Sequence, residues 1–309
     1  MMKKSPVVFL AMATLGLAMT GCNTSARNQS ADTLATDTTI GASAADTLVT
    51  KPVAYTYYSA DSTVQSTILV DCPTADDSLS RAVMTFIGKQ LGSLYVPYSY
   101  SEEAEALKQY PRYKGDMLQM QQVVDYYGKG ATKYLKSVLS DMAGEGRDEL
   151  PQVCSDVKIR KVAETSTYLT YAMSTYSAVG GAHGSYTSYN INISKLTDKP
   201  IEKAIDASRT RALQKILQKG IEHYFKECGE ADFQISSIQD YLDPTGENGS
   251  SKLIPLPQNT PYIENDSLCF VYQQYEIAPY AAGLVSFNVA LKEIKPYLRK
   301  EVQDLIKDE

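Results

Sequence analysis

The sequence predicts an α+β fold in which antiparallel sheet packs against a few amphipathic helices. Three observations carry this. Runs rich in tyrosine and β-branched residues occur in neighbouring pairs separated by short turn-forming stretches, the pattern of hairpins. Helical spacing of apolar residues appears in a few isolated blocks. The strand and helix patterns also lack the regular alternation that builds a parallel sheet.

The chain opens with Lys3 and Lys4, an apolar run from Val7 to Met19, and Thr20-Gly21-Cys22. A charged region, a short hydrophobic region and a small-residue cleavage site are the parts of a secretory signal, expected here over 1–21. The apolar run is too short for a span, which needs about 20 residues. Gly21-Cys22 resembles a bacterial lipobox, with Cys22 the lipid-modified first residue of the mature chain. Asn23 follows, with neither an aspartate nor an acidic run after the cysteine, which favours the periplasmic face of the outer membrane in a two-membrane cell. Residues 22–51 are rich in Thr, Ser, Ala and Asp and read as a flexible tether, because they carry too little apolar surface to offset the entropy of ordering. The remainder divides into 52–155, an N-terminal subdomain, and 156–309.

Within it, Ala54–Tyr58 and Thr63–Asp71 read as a strand pair ended by Cys72-Pro73. Asp76, Asp77 or Ser78 caps a helix whose apolar positions are Leu79, Ala82, Val83, Phe86, Ile87 and Leu91. A second helical pattern runs from Met117 to Tyr127, is interrupted at Gly128 and Gly130, resumes at Tyr134 and ends at Gly144-Glu145-Gly146. Strands follow over Val157–Glu164 and Thr167–Ser177, with a third ending at Ile193. The strongest amphipathic helix has Leu213, Ile216, Leu217, Ile221, Tyr224 and Phe225 on one face, with Asp206 or Ser208 to start it and Gly229 to stop it. Asp243–Ser251 is a loop cluster, and Leu253–Pro257 is extended by its two prolines. Ser267–Ile277 and Leu284–Ala290 complete the strands, around an irregular bend at 278–283. Residues 291–306 read as a helix despite Pro296.

The chain has 23 tyrosines, no tryptophan and a formal charge of −6. Two lysines and no acids lie in 1–21, so the mature charge is −8. That argues against nucleic acid as a partner and favours a neutral or basic one. After Cys22, the cysteines are Cys72, Cys154, Cys228 and Cys269. Their spacing has no Cys-x-x-Cys element, and sequence cannot choose among pairings or free thiols. Two histidines in different elements, without His-x-His or His-Glu-x-x-His, give no metal site, and no cofactor motif is present. His223, among Glu222, Lys226 and Glu227, reads as a solvated helix residue. Glu276, Asp243 and Glu264 are carboxylates that could converge as an acid pair, though nothing singles out two of them.

The candidate site is the glycine-rich segment Tyr176-Ser-Ala-Val-Gly180-Gly181-Ala182-His183-Gly184-Ser-Tyr186 between two strands. Its glycines permit positive φ or close backbone approach, so the loop can present His183 and backbone N–H groups to a ligand. It also reads simply as a wide hairpin turn.

This pattern, with Tyr189-Asn190-Ile-Asn-Ile and Thr197-Asp198-Lys199-Pro200-Ile201, resembles an extracytoplasmic domain of RsiV-type anti-sigma factors and of the non-catalytic part of the peptidoglycan deacetylase PdaC. A second stretch, Phe270-Val-Tyr272-Gln-Gln-Tyr275-Glu276-Ile-Ala-Pro279-Tyr280-Ala-Ala-Gly283, resembles that domain's C-terminal signature. The similarity runs from about 155 to the C-terminus and weakly back to about 52. After Ile201 the family's Leu-x-Asp-Leu-Phe-like stretch is replaced by Glu202-Lys-Ala-Ile205-Asp206. The resemblance implies a non-enzymatic binding module on the cell envelope, using Tyr176, Gly180, Gly181, His183, Gly184, Tyr275, Glu276, Pro279 and Tyr280. Its implied partner is a lysozyme-like protein or cell-wall glycan. The alternative is a hydrolase of envelope polymers with His183 as general acid or base, which requires that ring in a concave pocket beside a carboxylate or nucleophile.

Overall fold

The computed structural model describes residues 47–94, 110–146, 149–230, 232–242 and 253–306. The signal segment, Cys22, most of the tether and the loop cluster at 243–251 lie outside the described residues. The elements are β1 (Thr50–Tyr58), β2 (Val64–Pro73), α1 (Ser78–Ser93), α2 (Met120–Gly144), β3 (Val153–Glu164), β4 (Tyr168–Ala178), β5 (Ser185–Ser194), β6 (Lys199–Ile201), α3 (Thr210–Glu227), α4 (Ser236–Leu242), β7 (Tyr262–Glu264), β8 (Ser267–Tyr272), β9 (Val285–Ala290), α5 (Leu291–Ile294) and α6 (Lys300–Leu305). This is an α+β protein with a six-stranded and a three-stranded sheet.

Strands β1 to β6 lie in sequence order, antiparallel except for one pair: β2 and β3 are parallel. The chain cannot turn tightly between parallel neighbours, so α1 and α2 form the crossover. Alternation along the strands then puts Val53, Ile68, Val70, Val157, Ile159, Leu169, Tyr171, Met173 and Ile193 on the face that these helices cover. Asp77 caps α1, its side chain accepting from Ser80 N. The sheet is continuous across residue 155, which lies within β3 between its neighbours β2 and β4.

The second core lies between α3 and the β7–β8–β9 sheet, closed by α5 and α6. β7 packs across β3, β4 and β5 on the face away from α1 and α2. The two sheets are joined there by Asn192, which is 0% exposed. Its Nδ2 donates to Pro261 O (3.0 Å), and its Oδ1 accepts from Ile263 N (2.8 Å) and Thr170 Oγ1 (3.2 Å). A buried carboxamide thereby answers both an N–H and a C=O of the approaching strand.

Several local expectations change. The helix α2 runs unbroken through Gly128 and Gly130, because Gly128 is a packing position: a Cβ there would lie 2.2 Å from the Tyr55 ring. β2 continues through Cys72 and Pro73, paired with Lys51 and Thr50. The strand expected over Ser267–Ile277 ends at Tyr272, where the chain turns and Tyr275 takes φ 66. The expected helix over 291–306 is α5, a 3-10 turn at Lys295–Tyr297 and α6, separated by extended backbone at Leu298 and Arg299. Pro296 supplies no N–H to continue the α-helical ladder. Cys72, Cys154, Cys228 and Cys269 form no disulfide among the described residues.

Candidate functional site

The β4–β5 hairpin projects the glycine loop from the six-stranded sheet, with Ser177 opposite Ser185 as its last pair. Tyr176 and Tyr186 face each other directly, ring centroids 4.6 Å apart. Gly180 has φ +78, and a Cβ there would lie 2.1 Å from Met142 Cε. Gly184 sits against the Tyr176 ring, where a Cβ would come within 2.4 Å. Glycine is thus demanded by the positive φ at position 180 and by the close approach of the Tyr176 ring at position 184. Gly181 is different: a Cβ there would meet nothing nearer than 4.0 Å, so neither space nor backbone demands glycine.

The second motif comes to this loop. Tyr280 Oη donates to Gly184 O (2.6 Å), and its ring lies under the His183 imidazole, centroids 3.5 Å apart and 19° between planes. His183 is exposed. Its Nδ1 faces Gly184 O (3.3 Å) and its Nε2 faces Tyr275 Oη (3.5 Å). Tyr275 is 57% exposed and holds a positive φ that disfavours residues other than glycine. An exposed ring on a strained backbone is the kind of outlier that points to use. Pro279 is exposed and begins the 3-10 turn carrying Tyr280.

Glu276 holds the bend. Its carboxylate accepts from Gln258 N (2.6 Å) and Gln273 N (2.7 Å). Burial pushes its pKa up, with those two amides opposing. Glu276 is therefore an internal brace of the site. Glu264, the other described carboxylate of the expected trio, lies on β7; burial raises its pKa against the Arg160 charge and a Tyr262 hydrogen bond. Asp243 is outside the described residues. His223 pairs with Glu227 on exposed helix surface (3.0 Å).

Four residues of the site were absent from the expected set. Gln273 binds the Ser188 backbone on both sides, Oε1 accepting from Ser188 N (3.1 Å) and Nε2 donating to Ser188 O (2.9 Å). Gln274 Oε1 accepts from Tyr186 N (3.0 Å). These amides occupy the edge of β5 beyond its short pairing with β6, as a further strand would. Tyr186 completes the ring cluster, and Cys154 lies on the same sheet face, across from Ala178. Burial pushes the Cys154 thiol and the Tyr176 and Tyr186 phenols up. The Gln-Gln pair inside the C-terminal motif was the one available signal for this edge role.

The comparisons bear on the second of these two motifs. Residues 203–292 match a family described as a protein of unknown function, DUF3298. That segment is DUF3298-like. Its span includes α3, β7, β8, β9 and the Tyr275–Gly283 bend, while the glycine loop lies before it. Among solved structures, a DUF3298 member from Bacteroides fragilis is 16% identical with a TM-score of 0.55, the alignment covering 84% of this chain and 96% of that one. A DUF3298 protein from Pseudomonas aeruginosa is 13% identical with a TM-score of 0.51, covering 83% and 97%. Both likenesses extend far beyond residues 203–292, and at such identities they concern the fold alone. No curated protein matches the chain. Among the described residues no helix is long and apolar enough to cross a membrane.

Proposed function

We propose that this is an envelope lipoprotein, anchored through Cys22, in which the glycine loop and the DUF3298 bend together form a protein-binding surface. The observation that carries the reading is the pair of exposed rings His183 and Tyr275, with the half-buried Tyr280 stacked beneath His183, assembled from two loops about 90 residues apart. Amphipathic rings presented on a braced scaffold are typical contact residues. The partner we favour is a basic, lysozyme-like protein, because the mature charge of −8 complements it. Cell-wall glycan is the competing ligand. The hydrolase reading has less support: the His183 nitrogens face a carbonyl and a phenol, not a carboxylate, serine or cysteine.

The test is binding of the full chain to c-type lysozyme and, separately, to purified peptidoglycan, comparing wild type with Tyr275→Gly. The substitution removes the exposed ring and suits the positive φ, so the fold stays intact while lysozyme binding falls at least tenfold. Saturable lysozyme binding that Tyr275→Gly leaves unchanged would remove the surface from the proposal. Retention on peptidoglycan alone would replace the protein partner with a glycan.

A further inference from the structure

Far from the candidate loop, at the other end of the β4–β5 hairpin, Glu164 is buried with its side chain 2% exposed. A β-bulge puts it there. On β3 the residues facing α1 and α2 are Val157, Ile159 and Lys161, every second position, which would send Glu164 to the opposite face. The register with β4 slips between Lys161 and Ala163, so Glu164 pairs with Leu169 and points inward.

There Glu164 accepts from Leu48 N (2.8 Å), Lys161 Nζ (2.9 Å) and Lys195 Nζ (2.9 Å). Lys161 Nζ also donates to Leu48 O (3.1 Å), so the N–H and the C=O of Leu48 are both held by one ion pair. Lys195 Nζ reaches Thr165 O as well (3.1 Å). The Leu48 side chain is 5% exposed in the helix-side core, and Thr74 N and Oγ1 both donate to Val49 O (3.0 and 3.1 Å). Buried ion networks are an inefficient source of stability, since apolar replacements often do as well. What such a network supplies is a fixed point.

We propose that Glu164, Lys161 and Lys195 form a latch on residues 47–49, which passes tension on the N-terminal side of the chain into the interior strands β3 and β5. β1 begins at the next residue and is the edge of its sheet, its first pair being Thr50 with Pro73. Without the latch, the same tension acts on that pair and peels β1 from β2 one pair at a time. With it, β1 stays unloaded. The latch is independent of what the loop recognises.

Hydrogen exchange on the full chain tests this in wild type, Glu164→Gln and Lys195→Gln. We expect the amides of Leu48 and β1 to exchange at least tenfold faster in Glu164→Gln, with β8 and α3 within twofold of wild type. Lys195→Gln, which keeps the Lys161 pair, gives the same pattern at smaller size and decides the matter if Glu164→Gln does not fold. Equal acceleration in both sheets, or none at Leu48, would overturn the latch. Pulled between its two termini, Glu164→Gln should also show a separate early extension of about 50 Å, as some fifteen residues peel at roughly 3.5 Å each. The same early step in wild type would refute the transfer of tension.

Discussion

The two ends of the β4–β5 hairpin are fixed by opposite means. At its base, Leu169 and Ile193 lie in the core, and the neighbouring bulge, carboxylate and two lysines hold the incoming chain in a buried charged network. At its tip the contacts are neutral and mostly aromatic: Tyr176 with Tyr186, His183 on Tyr280, and carboxamides on the β5 edge. One end spends its polar groups on internal partners, whereas the other leaves rings exposed. The difference separates side chains held inside the fold from rings that reach solvent.

The sharpest way to break the comparison is at the base. Glu164→Ala leaves two buried lysines and the Leu48 amide without their shared carboxylate, and should cost about 3–5 kcal/mol in urea unfolding. Asn192→Ala strips partners from Pro261 O and Ile263 N at the junction of the sheets, with an expected loss of roughly 2–4 kcal/mol. Hydrogen exchange in that variant should quicken first in β7. At the tip, Tyr280→Phe removes only the bond to Gly184 O and should cost about 1 kcal/mol. A loss above that of Asn192→Ala would mean that the tip, too, is structural.

Acid should divide the two ends by sign. Burial raises the Glu164 pKa, but the Leu48 amide and both lysines outweigh it, so the carboxyl is held below the ordinary glutamate range. Its stabilisation is complete above the ordinary glutamate value and is lost as pH falls through the lower folded value. Burial holds Glu276 above the ordinary range. Its contribution is complete below the ordinary value and is lost as pH rises through the higher folded one. After correction for intrinsic rates, lowering the pH through the glutamate range should therefore speed exchange at Leu48 and slow it at the Gln273 amide. Parallel changes at both would show that a single global transition dominates.

Much of this architecture was legible in the sequence. Alternating tyrosine-rich segments marked the β4–β5 hairpin, the cap candidates Asp76, Asp77 and Ser78 marked the start of α1, and the apolar stripe from Leu213 to Phe225 marked α3. The two site motifs were visible as motifs. Their meeting was not, since nothing local to either states that Tyr280 reaches Gly184 O. Gly128 looked like a helix breaker because propensity is a local quantity, whereas its role depends on how closely β1 approaches. The parallel pairing of β2 with β3 escaped for the same reason.

By itself, the sequence determined the periodicities, the caps and the turn chemistry, which arise from interactions within a few residues. Only the tertiary structure decided that a one-residue bulge turns Glu164 inward, that Asn192 and Gln273 stand in for strand partners, and that His183 stacks on Tyr280. These depend on register and on contacts between residues some 70 to 115 positions apart, where a shift of one residue moves a side chain to the other face of the sheet.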